Sequence, residues 1–317
     1  MSDARAVRIA TRGSDLALAQ ARHVAARIER ELGRATELVV VTTSGDRIQD
    51  RPLAKIGGKG LFVKEIEQAL LEERADVAVH SAKDLPARLA DGCALAAFPE
   101  RVDARDALVA RAGGATLGAL PRGARVGTGS TRRIAQLLAA RPDLVVVPLR
   151  GNVPTRIAKL ESESLDAVVL ACAGLDRLGL AAHVRERIDT ARMLPAVCQG
   201  TLALETRADD ALRADIARLE DARVAPGARA ERAFLVRLGG DCTVPLAAHA
   251  TPVDGAPGRL RLRALLANED GSVILRDEGE ADARDAEGLG ARAAERVLDG
   301  GGRALLEQLR ARAGAAP

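Results

Sequence analysis

The sequence has few aromatic residues and few cysteines, and each shortage narrows the classes of protein it can encode. Three Phe, no Trp and no Tyr occur among 317 residues, so nucleic-acid binding through stacked aromatic platforms is not expected. The four cysteines contain no CxxC pair, and the four histidines form no ligand cluster with them. Neither a structural zinc site nor a disulfide framework is therefore predicted, and the thiols are interpreted as reduced.

Long apolar runs and a large excess of one charge are also missing. The N-terminal stretch MSDARAVRIATRGSD has no apolar region of the secretory-signal type. No run approaches the ~18 apolar residues of a membrane span. Lys and Arg total 47, Asp and Glu total 44, and the formal net charge is +3, which is small for a polyanion-binding protein. These absences predict a soluble cytoplasmic protein that binds neither membrane nor nucleic acid.

Short apolar runs alternate with helical patterns over the first two thirds of the chain. VRIAT (7–11) is typical of a buried strand, and Ser14 predicts the N-cap of a helix that ends near Leu32. The order of strand, small-residue turn and helix returns at ARVGTGSTRR (124–133). This alternation predicts two α/β domains, each a mostly parallel sheet with flanking helices. Ligands of such sheets bind beyond the carboxyl ends of the strands.

The last third of the chain has a different sequence pattern. HATPV (249–253), GRLRLRALLA (258–267) and SVILRDEGEA (272–281) alternate apolar and polar residues and are separated by turn sequences. They predict a three-stranded antiparallel sheet. Helical patterns on both sides, including a long one over 285–311, indicate a smaller α+β domain.

Basic residues recur where predicted strands give way to helices. The positions are Arg12, Lys55, Lys59, Lys83, Arg132, Arg133, Arg150 and Arg156. Cations at helix N-termini are disfavoured by ~0.3–1 kcal/mol each, so the repetition indicates a bound anion. The turns match neither GxxxxGK[ST] nor GxGxxG, and Arg forks fit carboxylates as well as phosphates. For any single arginine, a solvated surface position is an equally good interpretation.

Two further residues are candidates for chemistry. Asp84 follows a predicted strand in HSAKDLP, where a carboxylate could act in acid–base catalysis or stabilise a developing cation. The other interpretation is a turn-forming Asp that bonds its own backbone. Cys242 stands in the Gly-rich loop GGDCTVP, whereas the other cysteines lie in or beside apolar runs. A loop thiol can be a nucleophile, although an inert thiol is the alternative.

The chain resembles the porphobilinogen deaminase (hydroxymethylbilane synthase) family over nearly its whole length. The motifs that carry this resemblance, in order, are IATRGSDLALAQ, the segment Lys55 to Pro86, GTGSTRR, LRGNVPTR, LPAVCQG and GGDCTVP. The resemblance implies a transferase that joins four porphobilinogen molecules head to tail, with loss of ammonia, into hydroxymethylbilane. This product serves tetrapyrrole, porphyrin and heme biosynthesis.

The resemblance also implies an architecture. In this family, two α/β domains like those of periplasmic binding proteins surround a cleft, and a smaller α+β domain follows. We therefore expect a first domain over 1–99 with a returning segment 200–217, a second over 105–193 and a third over 222–317. A monomer is expected as well.

Residue roles follow from the same resemblance. Members of the family grow their product on a dipyrromethane cofactor held through a thioether to a cysteine, which matches Cys242, and their catalytic aspartate matches Asp84. Lys55, Lys59 and Phe62 match a lid-like loop, and no metal is implied. The residues assigned to cofactor or substrate binding are Arg12, Ser14, Gln20, Lys83, Thr128, Ser130, Arg132, Arg133, Arg150, Arg156 and Gln199.

Several positions depart from the family pattern, and two of these departures bear on the thiols. Cys198 stands where glycine is usual, and Asp241 stands where glycine often precedes the cysteine. A carboxylate beside Cys242 is expected to raise the pKa of its thiol. The alternative hypothesis for the whole chain is a non-catalytic carboxylate-binding protein of periplasmic-binding-protein type. It would explain the arginines but not the combination of Asp84 and Cys242.

Overall fold

The computed structural model describes residues 5–47, 60, 62–111, 114–240 and 244–315. Contacts divide the described chain into two compact units. The first unit is built from residues up to 47, residues 60 and 62–102, and Gly200–Ala225. The second contains Asp103–Gln199 and the chain from Pro226 onward. None of the helices in these ranges is long and apolar enough to cross a membrane.

Thirteen strands are found in the described ranges. In chain order they are β1 (Val7–Arg12), β2 (Thr36–Val41), β3 (Val77–Ser81), β4 (Cys93–Ala97), β5 (Asp106–Ala110), β6 (Arg125–Gly127), β7 (Val145–Val147), β8 (Ala167–Ala171), β9 (Val184–Ile188), β10 (Leu202–Arg207), β11 (Leu246–Pro252), β12 (Arg259–Ala267) and β13 (Ile274–Asp282).

The helices of the same ranges connect and cover these strands. They are α1 (Asp15–Leu32), α2 (Ser44–Arg47), α3 (Lys64–Leu71), α4 (Thr131–Ala140), α5 (Val153–Ser162), α6 (Cys172–Arg177), α7 (Leu212–Ala217), α8 (Ala225–Leu238), α9 (Ala286–Val297) and α10 (Arg303–Ala315).

Helix α1 begins and ends as its sequence predicts. The Ser14 hydroxyl accepts a hydrogen bond from the Ala17 N–H at 3.3 Å, which satisfies one of the free N–H groups of the first turn. At the other end, Gly33 adopts φ +66°, and its N–H donates to the Glu29 carbonyl. Both predicted ends of this helix are confirmed.

The two α/β sheets share one topology. The first has the strand order β2-β1-β3-β10-β4 and the second β7-β6-β8-β5-β9. In each, one strand is antiparallel to both of its neighbours: β10 in the first sheet and β5 in the second. Four of the five strands in each sheet therefore run in one direction, as predicted, but two of the four strand pairings are antiparallel and the sheets are mixed. The apolar patterns did not predict β5, β9 or β10, which are short strands that pair with distant parts of the chain.

The third sheet is antiparallel throughout, in the order β11-β12-β13, as the alternating pattern predicts. The long helical pattern over 285–311 is divided into α9 and α10, because Gly301 between them adopts φ +108°, a conformation outside the helical range. The fold class of two α/β sheets followed by a three-stranded antiparallel sheet is confirmed.

Candidate functional site

A pocket in the first unit collects several of the predicted residues. It opens where β1 and β3 end and where α1 begins, the edge at which ligands of such sheets bind. Its lining includes five residues singled out by the sequence, four polar ones and Phe62. The lining residues are Arg12, Ser14, Leu16, Ala17, Gln20, Phe62, Val79, His80, Ser81 and Asp84.

Asp84 is held on a short 3₁₀ turn, Ala82–Asp84, that follows β3 directly. The Ala82 N–H donates to the Thr201 carbonyl at 2.9 Å, which ties the start of this turn to the chain leading into β10. The buried Gln20 side chain on α1 donates from Nε2 to Ser81 Oγ at 2.8 Å, which ties the residue just before the turn to α1. These anchors present a half-buried carboxylate at the pocket.

Arg12 lies between a carboxylate and an aromatic ring. Its Nε donates to Asp46 Oδ1 at 3.1 Å, and its guanidinium carbon lies 4.1 Å from the centroid of the Phe62 ring, a cation–π distance. Burial works to raise the pKa of Asp46, but hydrogen bonds from Arg12 and Thr43 outweigh it and lower that pKa. A β-carbon on Gly45 would collide with the Phe62 ring, so a larger residue there would force the ring to move.

A second group of predicted residues converges on one buried carboxylate in the second unit. Arg132 Nη1 donates to Asp106 Oδ2 at 2.8 Å, and Arg133 Nε donates to Asp106 Oδ1 at 2.9 Å. Gln199 Nε2 donates to the same Oδ1 at 3.0 Å. The two guanidiniums also bond the carbonyls of Leu194 and Val169.

Asp106 is the residue of this group that the sequence patterns missed. It is fully buried on β5, and burial alone would raise its pKa, but the charges of Arg132 and Arg133 outweigh that effect and hold the pKa well below its usual range. Two guanidiniums facing one carboxylate leave one net positive charge, and Arg132 Nε has no hydrogen-bond partner. The clue in the sequence was a lone Asp at the start of an apolar run, DALVA.

The remaining predicted residues lie at turns and in the first part of α5 in the second unit, apart from one in the first unit. Thr128 is buried, and its hydroxyl accepts from the Ser130 N–H at 3.3 Å at the start of α4. Arg150 Nη1 is buried without a hydrogen-bond partner. Arg156 Nε donates to the Gly151 carbonyl at 2.7 Å. Lys83, in the first unit, lies half-buried within the Asp84 turn.

Several assigned residues lie outside the described residues: Cys242, Lys55 and Lys59, together with Asp241. In the sequence, Cys242 falls between α8 and β11 of the second unit. Cys198 is described, and it adopts φ +56°, in the left-handed region that favours glycine. Its Sγ lies 3.5 Å from the Ala228 carbonyl oxygen, and the residue is fully buried. Among the described side chains, no group of three His, Cys, Asp or Glu could hold a metal ion.

Comparison with known proteins identifies the family. The family model "Porphobilinogen deaminase, dipyromethane cofactor binding domain" matches residues 7–215, well over half of the chain. The chain belongs to the porphobilinogen deaminase family. A second model, "Porphobilinogen deaminase, C-terminal domain", matches residues 227–299.

Relatives in this family align over nearly full length. A porphobilinogen deaminase of Syntrophus aciditrophicus is 51% identical over 305 residues, which are 96% of this chain and 98% of the relative. One of Pelobacter propionicus is 49% identical over 96% of this chain and 97% of its own length. Among solved structures, the second substrate binding domain of a putative amino acid ABC transporter from Streptococcus pneumoniae aligns with a TM-score of 0.45 and 12% identity. That alignment covers 71% of this chain and 96% of the other.

Proposed function

We propose that the chain is a hydroxymethylbilane synthase. It joins four porphobilinogen molecules head to tail, releases one ammonia for each, and elongates the product on a dipyrromethane primer attached to Cys242 through a thioether. The observation that carries this proposal is the pocket that brings Asp84 together with Arg12, Ser14 and Gln20 in a chain of this family. The protein is proposed to act as a monomer in the cytoplasm.

The donors and acceptors present fit a group that carries pyrrole N–H and carboxylate substituents. Asp84 offers an acceptor for pyrrole N–H, and Arg12 and Ser14 offer donors for carboxylates in the same pocket. In the second unit, Arg132 Nε and Arg150 Nη1 are buried polar atoms without a partner, as expected of donors that await a ligand. When bound, the dipyrromethane supplies the first acceptor pyrrole of the chain.

Asp84 has two tasks in the proposed reaction. Departure of ammonia from the aminomethyl arm of porphobilinogen leaves a positive charge spread over the methylene carbon and the pyrrole nitrogen. A carboxylate held against that N–H stabilises the charge as it develops. The α-carbon of an acceptor pyrrole that takes up the methylene carbon would have to lose its proton. Asp84, at the same pocket, is the proposed acceptor of this proton.

The arginines have a separate task. Each added pyrrole brings an acetate and a propionate, so the growing product accumulates negative charge. We propose that Lys83, Arg132, Arg133, Arg150 and Arg156 bind these carboxylates, and that Thr128, Ser130 and Gln199 orient them. The net positive charge left by Arg132, Arg133 and Asp106 supports this assignment. Lys55, Lys59 and Phe62 are proposed to belong to a loop that covers the bound pyrroles.

Intact-mass measurement of the purified protein tests the proposal. We expect the wild type to carry an added mass equal to two porphobilinogen units less two ammonia, and Cys242→Ser to lack it. Cys93→Ser is the matched control, because Cys93 is a free thiol to which no attachment is assigned, so this variant should keep the adduct. An unmodified wild type that still makes hydroxymethylbilane would refute the covalent attachment at Cys242.

The alternative, a non-catalytic carboxylate-binding protein, is not favoured, because both matching family models describe a deaminase. The same samples discriminate between the two functions. A binding protein would bind porphobilinogen without releasing ammonia, whereas the synthase releases ammonia in proportion to the pyrrole consumed.

A further inference from the structure

A buried pair of titratable groups adjoins the Asp84 pocket, and the proposed reaction does not use it. His80 lines the pocket with one edge, and its Nε2 lies 2.8 Å from Glu205 Oε2. Glu205 is fully buried on β10, and His80 is 6% exposed on β3. The contact is short but does not have the angle of a hydrogen bond, and neither Glu205 oxygen accepts a hydrogen bond of normal geometry. Burying a carboxylate without hydrogen bonds costs folding free energy, so a native protein that keeps one there has a structural or functional reason for it.

Two other titratable groups, Glu67 and Cys93, lie close to this pair. Glu67 on α3 is buried, and its Oε1 accepts from the Ala90 N–H at 2.7 Å. Burial raises the pKa of Glu67, and both the charge and the side-chain contact of Glu205 raise it further, while the Ala90 N–H and His80 act to lower it. Burial raises the pKa of the Cys93 thiol on β4 to about 12, and both carboxylates contribute. Glu67 and Cys93 therefore adjoin the pair within the sheet, and Glu205 is the carboxylate that His80 Nε2 contacts.

The remaining charged groups nearby have partners of their own. Arg207, on the same strand as Glu205, donates to the carbonyls of Leu70 and Ala75 at 2.8 and 2.9 Å. On the pocket side, Arg12 is paired with Asp46. The imidazole of His80 therefore has Glu205 on its buried side and the pocket that contains Asp84 on the other.

Strand pairing and a backbone hydrogen bond also link the pair to the Asp84 turn. His80 lies opposite Ala203 in the register of β3 and β10, and Glu205 is two residues further along β10, so both side chains point to one face of the sheet. The start of the Asp84 turn is held to the same part of the chain by the bond from Ala82 to Thr201. Residues 201–205 thus fix the end of β3 from which Asp84 projects.

We propose that Glu205, acting through His80, is a positioning residue for Asp84. The contact fixes the end of β3 and holds the His80 ring in place beside the Asp84 carboxylate. If Glu205 is replaced, the ring loses this contact and is free to turn into the pocket next to Asp84. If His80 is replaced, the Glu205 carboxylate is left buried without that contact. This inference rests on the proposed function, because it concerns how well Asp84 meets a cationic pyrrole.

The test uses His80→Gln, Glu205→Gln and the double variant, each in the full chain with its primer. Porphobilinogen consumption is measured as kcat and KM across pH, and thermal unfolding is measured on the same samples. We expect each single variant to lower kcat by about 10- to 100-fold, the scale of a misplaced catalytic group. KM should change little, because the arginines are untouched, and the pH dependence of kcat should shift.

The double variant separates positioning by the pair from packing alone. It places two neutral amides where the His80–Glu205 contact was, so no carboxylate is left buried without its contact and the melting temperature should recover. We expect kcat to stay low in spite of that recovery. Recovery of kcat together with the melting temperature would reduce the pair to a packing role and overturn the inference. If a single variant does not fold, the double variant alone supplies this comparison.

A surface pair in the same unit provides the matched control. His23 Nε2 lies 2.9 Å from Glu100 Oε2, and the His23 side chain is half exposed, so His23→Gln should leave kcat and its pH dependence unchanged. Single variants at His80 and Glu205 that behave like this control would also overturn the inference. A wild type that consumes no porphobilinogen would instead refute the proposed function, so the two failures are distinguishable.

Discussion

Loss of the Asp106 carboxylate should lower the stability of the second unit more than loss of any other single charge there, and Asp106→Asn tests this. Asp106 is fully buried and accepts hydrogen bonds from Arg132, Arg133 and Gln199 at 2.8 to 3.1 Å. Removing one partner of a buried ion pair destabilises a protein by roughly 3–5 kcal/mol, because the remaining charge stays buried and unpaired. The asparagine oxygen still accepts a hydrogen bond, so we expect a loss near the lower limit, about 3 kcal/mol.

Urea unfolding at neutral pH measures this loss. Asp282→Asn is the matched control, because Asp282 also pairs with an arginine, Arg284, but lies on the surface of the same unit, where solvent screens the charges. A loss for Asp106→Asn no larger than that of the control would contradict the interpretation of Asp106 as the centre of a buried charge network.

The dependence of this loss on pH has a definite sign. The pKa of Asp106 is held below its ordinary value of 3.8, so its contribution to stability is fully present above pH 3.8 and is lost as the pH falls toward the folded-state pKa. The difference between wild type and Asp106→Asn should therefore be constant from pH 8 to about pH 5 and shrink only in stronger acid. A difference that already shrinks above that range would contradict the assignment.

Two further predictions concern single residues. Asp84→Asn should fold and keep its primer but make hydroxymethylbilane roughly 10²- to 10⁴-fold more slowly, the scale of lost acid–base catalysis; near-normal product formation would refute the role assigned to Asp84. Cys198 has φ +56°, so its Gly variant should be more stable than its Ala variant. Relative to the same two variants at Cys172, which is equally buried without a positive φ, the difference should favour Gly by about 1–2 kcal/mol more. Equal differences at the two positions in urea unfolding would show that Cys198 is not strained.

Local signals made part of the fold predictable. Helix α1 has a capping serine, an apolar face and a terminal glycine within one stretch of sequence, and its bounds are confirmed. The three strands of the last sheet alternate regularly and are joined by short turns, so they too could be predicted. Strands β5, β9 and β10 could not, because each is five or six residues long and owes its place to pairing across the sheet.

The candidate site shows the same limit. A turn, a cap and a strand end are local, so the pattern placed Arg12, Ser14 and Asp84 at the edge of a sheet, where the pocket collects them. The partners of these residues come from elsewhere in the chain. Asp106 lies 26 residues before Arg132, and Glu205 lies far beyond His80. Long-range charge pairing of this kind leaves no periodic signal in one sequence.

The position of β10 has a consequence for how the protein is made. In the first sheet β10 lies between β3 and β4, yet it is synthesised about a hundred residues after β4. Until the ribosome has released residues 202–207, β4 has no partner in its sheet and β3 presents an unpaired edge of apolar residues, which is a template for aggregation. The first half of the chain therefore cannot complete its fold in the order in which it emerges. A nascent chain that stalls before β10 would lack the strand that carries Glu205, so the Asp84 turn reaches its final place only late in synthesis.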